Sequence, residues 1–349
     1  MRALVFDGPW QIGTQQREDP VPAAGEVLIE VHATGICGSD IHGFTGENGR
    51  RHPGQVMGHE TVGRVAQVGA GVTGLRPGAT VTVNPVIACG ECPACRAHAE
   101  QSCPRRRVIG VTPDLVSAFA ELMVVPAGNV VELPESMPTE YGALVEPLAV
   151  GFHAAVRGQC SDTDRVLVIG GGPIGQACAL AAQRLGVGRL VVTEPHPRRR
   201  DLVGALGAHA VDPSTGDVAE AVTSALGGPA TLVLDAVGAT GSVEDAVRCS
   251  SFGARVVLVG MNAPRIDLAA YAVSTEERSL IGSFCYSADD FRQTAQWVGT
   301  SPPQLAHLVD GRVDLDAAGG AFTDLARGDS QASKILVFPG GPANKEQSR

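Results

Sequence analysis

Over the first ~145 residues, apolar positions come in short β-branched runs, Val27–Val31, Gly63–Val68 and Thr80–Val83, separated by Gly and Pro. Runs of this length with frequent turn signals predict an all-β, barrel-like unit. The pattern changes near Pro147. From Asp164 onward, continuous apolar runs alternate with stretches of helical period. Strands are expected at Arg165–Ile169, Arg189–Thr193, Thr231–Leu234, Arg255–Val259 and Ser279–Ile281, with a weak one at Ala210–Val211. Helices are expected at Ile174–Leu185 and Val243–Cys249. Such alternation predicts an α/β unit with a parallel, doubly wound sheet. After about Gly282 the pattern is mixed again and ends in a strand-like Lys334–Phe338. Residues 341–349 are polar and are expected to form a disordered tail.

Composition narrows the class. A chain of 349 residues with 44% hydrophobic positions is long enough for about two domains. Its net charge of -10 argues against a duplex-binding face and against a polybasic membrane anchor. No apolar run reaches the roughly 20 residues of a spanning helix. The segment MRALVFDGPW lacks the apolar core and small-residue site of a signal peptide, so the cytoplasm is the expected compartment.

One motif sits at the first α/β strand. Arg165–Ile169 runs into Gly170-Gly171-Gly172-Pro173-Ile174-Gly175, and an Ala-rich helical stretch follows. A strand before and a helix after are the context a dinucleotide site needs. Gly170 permits the tight turn, Gly172 lets a pyrophosphate approach the backbone, and Gly175 lets the helix pack on the sheet. Pro173 and Ile174 open that helix, whose free N–H groups face the anion. Glu194, at the end of the next strand, is placed to bond the ribose hydroxyls. Its carboxylate repels a 2′-phosphate and favours NAD, with NADP the lesser alternative. Arg198, Arg199 and Arg200 pull the other way in that they can pair with such a phosphate, but the preferred reading is that they line the adenosine pocket or face solvent.

Nine cysteines form an odd set, and four of them, Cys89, Cys92, Cys95 and Cys103, fall within fifteen residues. Four thiolates so close read as a closed, tetrahedral structural zinc site. A second constellation is Gly35-Ile36-Cys37-Gly38-Ser39-Asp40-Ile41-His42, followed by Gly58-His59-Glu60-x2-Gly63-x5-Gly69-x2-Val72.

Together with the nucleotide motif and Val145-Glu146-Pro147-Leu148, these residues resemble the zinc-dependent medium-chain alcohol dehydrogenase family, and most closely its polyol branch. The resemblance covers about residues 1–340. It implies a GroES-like catalytic domain over 1–147 with a structural-zinc lobe at about 86–106, a Rossmann domain over 148–283, and a return to the catalytic domain over 284–340. It further implies two zinc ions per chain. The catalytic ion would be held by Cys37, His59 and a carboxylate, with Glu146 as resting ligand and Glu60 exchanging with it. Asp40 would orient His59, Ser39 would take the alcohol proton, and His42 would pass it to solvent. Val237, Arg199 and Phe284 carry over as cofactor contacts, although Gly282–Tyr286 also reads as a plain strand end. The implied reaction is oxidation of a secondary alcohol of a polyol, sugar or cyclitol by a homodimer or homotetramer.

Two features depart from or add to that pattern. The segment Leu115–Glu121 lacks a Gly pair usual in the family, which leaves the local loop shape open. Arg50 and Arg51 lie between the two halves of the catalytic motif, either as a solvated loop or with one of them meeting an anionic or hydroxyl-rich substrate. A zinc-free quinone or enoyl reductase on the same scaffold would have no use for Cys37, His59 and Glu146 together. A non-catalytic scaffold is the remaining alternative, and the intact Ser39 and His42 speak against it.

Overall fold

The computed structural model describes residues 1–47, 49–330 and 332–341, so the tail expected from 341 onward lies almost wholly outside the described residues. Two compact units result, Pro147–Tyr286 on one hand and Met1–Glu146 with the chain from Ser287 onward on the other.

In the unit Pro147–Tyr286, six parallel strands lie in the order His209–Val211, Arg189–Thr193, Arg165–Ile169, Ala230–Asp235, Ser250–Leu258, Ser279–Gly282. Alternate side chains explain why these strands read as unbroken apolar runs. Val166 and Val168 pack into one core with Ala179 and Val203, while Leu167 and Ile169 pack into a second with Val191 and Val222. A parallel sheet covered on both faces has no polar side to show. Strand order reverses between Arg165–Ile169 and Ala230–Asp235. The carboxyl ends at such a reversal form the usual ligand crevice of an open α/β sheet.

The other unit is built around the long strand Glu26–Gly35, which pairs antiparallel with Glu60–Val68, Leu122–Pro126 and Ile335–Phe338. Further strands extend the sheet to seven. The end of the chain therefore closes on strands near its beginning. Leu336 lies opposite Gly35 on one side, and Glu60 lies opposite Gly35 on the other.

Six of the expected α/β strands are present, with Ser250–Leu258 starting five residues earlier than its apolar pattern suggests. Four helices were not among the expected elements, Pro197–Ala205, Val218–Leu226, Ala288–Gly299 and Leu315–Arg327, although the last three bury apolar residues at helical spacing. The first has four charged residues, Arg198 to Asp201, directly after its opening proline, which hides any apolar stripe. No helix among the described residues is long and apolar enough to cross a membrane.

The segment without the Gly pair proves ordinary. Ser117 Oγ accepts the Gly110 N–H at 2.6 Å, and Phe119 N–H donates to the Met57 carbonyl at 2.9 Å. Phe119 is fully buried and meets Phe322 edge-on at 5.5 Å. Phe119→Ala should therefore lower stability by about 3–5 kcal/mol. Urea unfolding followed by tryptophan fluorescence checks this; a change under about 1 kcal/mol would mean the aromatic contact is not a packing anchor.

Candidate metal and dinucleotide sites

Cys37 precedes the helix Gly38–Thr45 with extended backbone, φ −95 and ψ 153. Asp40 begins that helix by accepting the Cys37 N–H at 3.2 Å, which satisfies one of its free N-terminal donors. His59 and Glu60 come from the other half of the motif. The turn ahead of them needs Gly58, at φ +97, because a Cβ there would lie 2.9 Å from Phe119 N. The outcome is convergence: the Cys37 sulfur, a His59 ring nitrogen and a Glu60 carboxylate oxygen lie within 4.8 Å of one another.

The surroundings favour positive charge. Asp40 is fully buried, with Oδ1 3.6 Å from His59 Nδ1 and 3.7 Å from Arg51 Nη2. Neither Asp40 Oδ1 nor His59 Nδ1 has a hydrogen-bond partner. Burial opposes a charged imidazole, but Asp40, Cys37 and Glu146 outweigh it and hold the His59 pKa well above its ordinary value. Burial likewise pushes the Asp40 carboxyl up, against the pull of His59 and Arg51. A thiol, an imidazole and carboxylates in a pocket that attracts a cation form a fitting donor set for zinc. An ion bound there would supply the charge that a proton otherwise brings.

Glu146 is buried in the first turn of Val145–Arg157 and acts on both His59 and Lys334. It is not one of the three converging groups; Glu60 is. Ser39 and His42 lie exposed on the short helix, with His42 Nδ1 2.6 Å from Glu47 Oε2. Arg50 is exposed, whereas Arg51 is turned inward, its Nε 3.1 Å from Met57 Sδ. Arg51 is thus not a solvated loop residue, because its side chain is buried beside Asp40 and Met57.

The sulfurs of Cys89, Cys92, Cys95 and Cys103 form the second convergent group among the described residues. Adjacent sulfurs are 3.4 to 3.8 Å apart. Zn–S bonds of about 2.3 Å in a tetrahedron put sulfurs about 3.8 Å apart, so the cage has the size of the ion. Gly90, at φ +76, and Pro93, which opens the turn Pro93–Arg96, wrap the chain around it. The Glu91 backbone N–H draws the Cys89 thiol down to about 6, while burial pushes Cys95 up to about 12.

In the Pro147–Tyr286 unit the glycine turn has the geometry its sequence requires. Gly170 adopts φ +92, and a Cβ on Gly175 would lie 1.7 Å from the Gly170 carbonyl. Gly172 precedes the helix Pro173–Arg184 with no side chain capping it, so Ile174 and its neighbours leave N–H groups available to an anion. Glu194 is buried and accepts from Gly171 N at 2.7 Å and His196 N at 2.8 Å. Val237 packs over Gly170, 2.8 Å from where its Cβ would be. Arg199 is exposed, with Nη1 4.0 Å from the position of a Gly172 Cβ. Arg200 instead binds the Glu194 and Pro195 carbonyls and pairs with Asp212. Phe284 lies half-exposed just past the edge strand Ser279–Gly282.

Comparison with known proteins agrees with this arrangement. Residues 23–135 match the alcohol dehydrogenase GroES-like domain, and residues 173–300 match the zinc-binding dehydrogenase family. The 2-dehydro-3-deoxy-L-galactonate 5-dehydrogenase of Pseudoalteromonas atlantica is 33% identical over 90% of this chain and 92% of its own length. The chain belongs to the zinc-dependent medium-chain alcohol dehydrogenase family. Two solved structures share its fold at 29% identity, each covering 97% of this chain and 99% of its own. A zinc-binding dehydrogenase of Sinorhizobium meliloti 1021 bound to NADP superposes with a TM-score of 0.90, and the alcohol dehydrogenase RspB of Escherichia coli CFT073, complexed with NADH, with 0.89. Within this family the chain falls in the polyol branch and is an NAD(P)-dependent alcohol dehydrogenase.

Sequence reasoning missed Lys334 beside the metal-type cluster of this dehydrogenase, and for Arg51 it missed the burial against Asp40. Lys334 Nζ lies 2.7 Å and 2.6 Å from the two Glu60 oxygens and 3.2 Å from the Ile36 carbonyl. Rarity was the available signal. The chain has 27 basic residues, of which Lys334 and Lys345 are the lysines. For the nucleotide turn, Gly175→Ala should weaken NADH binding at least about tenfold while leaving metal content unchanged. Quenching or enhancement of NADH fluorescence on titration measures it, and an unaltered affinity would show that the helix does not need so close an approach.

Proposed function

We propose that the protein oxidises a secondary alcohol of a polyol, sugar, sugar acid or cyclitol to the ketone, preferring NAD, with two zinc ions per chain. The observation that carries the reading is the convergence of Cys37, His59 and Glu60 in a buried pocket that favours a cation. Cys37, His59 and a carboxylate, with Glu146 as resting ligand, would hold the catalytic ion. Thiolate and carboxylate together balance a divalent charge and leave a position for substrate. Zinc bound there supplies a Lewis acid that lowers the alcohol pKa, and the nicotinamide accepts the hydride.

The chain's own groups do the rest. Asp40 holds the His59 ring from behind, which fixes its orientation. Ser39 Oγ receives the alcohol proton, and His42, exposed and paired with Glu47, releases it to solvent. The four cysteines from Cys89 to Cys103 hold the second ion without an open position, a structural role. Glu194 bonds the ribose hydroxyls, and its buried charge disfavours a 2′-phosphate, which is the reason to prefer NAD. The named substrate of the P. atlantica relative, a sugar acid, supports a polyhydroxylated substrate here.

Metal analysis of the purified chain should give two zincs. Cys37→Ala should remove one and leave the fold intact, and Cys95→Ser should remove the other with a loss of stability. One zinc in the unaltered protein, or no NAD reduction with any member of a polyol and sugar-acid panel, would overturn the reading. Ser39→Ala should lower kcat by roughly 10²-fold or more near neutral pH. The deficit should shrink as pH rises, because hydroxide then takes the proton directly. A pH-independent deficit would place Ser39 outside the proton path.

A further inference from the structure

His42 needs more than an exposed position to serve as the outlet for the substrate proton. A neutral imidazole carries its proton on one of two nitrogens, and only the bare nitrogen can take up another. Which nitrogen is bare is set by the bond the other one makes. We propose that Glu47 is a positioning residue that accepts the Nδ1 proton of His42 and so holds the ring in the tautomer whose Nε2 takes up the proton from substrate. The proposal rests on the reading of His42 as the end of the proton path.

The contact itself fixes the donor. Glu47 Oε2 lies 2.6 Å from His42 Nδ1, and a carboxylate offers only acceptors, so the hydrogen between them belongs to the ring. An imidazole side chain left to solvent favours the opposite form, with the hydrogen on Nε2. Glu47 thus reverses the ring's own preference.

The backbone is shaped to make this contact. Residues five apart do not face each other on a continuous helix. His42 and Glu47 meet because the helix Gly38–Thr45 stops at Gly46, whose left-handed backbone, φ +86, turns the chain back. The tip of the hairpin formed by strands Arg2–Gly8 and Gln11–Gln16 braces that turn. Trp10, itself at φ +62, donates its N–H to the Phe44 carbonyl at 2.8 Å. A Cβ on Gly46 would lie 2.9 Å from Pro9 Cγ, so no larger residue fits there without moving the hairpin. Thr45 Oγ1 donates to the His42 carbonyl at 3.3 Å, which completes the turn around the histidine.

The His42 and Glu47 side chains are 48% and 64% exposed, so water reaches the ring. In each turnover Nε2 accepts one proton, and the imidazolium keeps its Nδ1–H on Glu47. Water then carries one ring proton away, and the neutral ring settles again as the Nδ1–H form. An exposed ion pair adds little to stability, so the value of the contact lies in orientation.

Nitrogen-15 NMR of the histidine-labelled protein at alkaline pH, where imidazole is neutral, reads the tautomer directly, and His42→Gln identifies the His42 signals. The unaltered protein should show the Nδ1–H form. Glu47→Ala should return His42 toward the Nε2–H form with no change in melting temperature, and Glu47→Lys, which offers only donors, should complete the reversal. Single-turnover hydride transfer to NAD should slow roughly three- to tenfold in Glu47→Ala, the factor by which the competent tautomer is depleted, with NAD affinity unchanged. An Nε2–H ring in the unaltered protein overturns the proposal, as does a tautomer that Glu47→Ala leaves unchanged. A changed tautomer with an unaltered hydride-transfer rate overturns it equally. A His42→Gln variant that transfers hydride at the unaltered rate overturns instead the proton path beneath it.

Discussion

A charge buried in an apolar interior must meet an opposite charge or a metal, and the arrangement of the Met1–Glu146 unit follows from that requirement. Cys37, Asp40, His59, Glu60 and Glu146 bring acidic and metal-binding groups together between strands packed with Val, Ile and Phe. Isolated, each carboxylate would cost several kcal/mol to bury. Asp40 has Arg51 beside it and Glu60 has Lys334, while Cys37 and Glu146 act on the His59 imidazole. Asp40, Cys37 and Glu146 together hold the His59 pKa well above its ordinary value against the cost of burial.

The dinucleotide site meets a different constraint by different means. There the need is for bare backbone, and glycine supplies it at Gly170, where φ is +92, and at Gly175, where a Cβ would collide with the Gly170 carbonyl, while Gly172 leaves the helix N-terminus open. The Glu194 carboxylate, by accepting from Gly171 N and His196 N, fixes the loop it also serves. It therefore organises the turn, and a substitution at 194 removes both of these loop contacts.

How much of this could be read from the sequence varied with the range of the interaction. The strands of the α/β unit were legible because burial on both faces makes them continuous apolar runs, as in Arg165–Ile169. The glycine turn and the four-cysteine cage were legible because their parts lie within a few residues. Helix Pro197–Ala205 was not, because its charged run Arg198–Asp201 marks no apolar face, and Arg200 serves local carbonyls and Asp212. Val218–Leu226 and Leu315–Arg327 did carry signals that an apolar pattern overlooks: Asp217 and Asp314 cap their N-termini, and Gly227 and Gly328 end them in left-handed geometry. The burial of Arg51 was not legible because its partner Asp40 lies eleven residues back on a separate helix, and only the fold brings them together.

Lys334 shows the limit most sharply. It lies 274 residues from Glu60, and nothing in its own neighbourhood, Ser333 and the apolar Ile335–Phe338, suggests a site. Only strand pairing connects them, through Leu336 opposite Gly35 and Gly35 opposite Glu60. That connection has a consequence for assembly. The Cys37 and His59 segments are made early, but Glu60 has no counter-charge until the last strand has paired with the strand Glu26–Gly35.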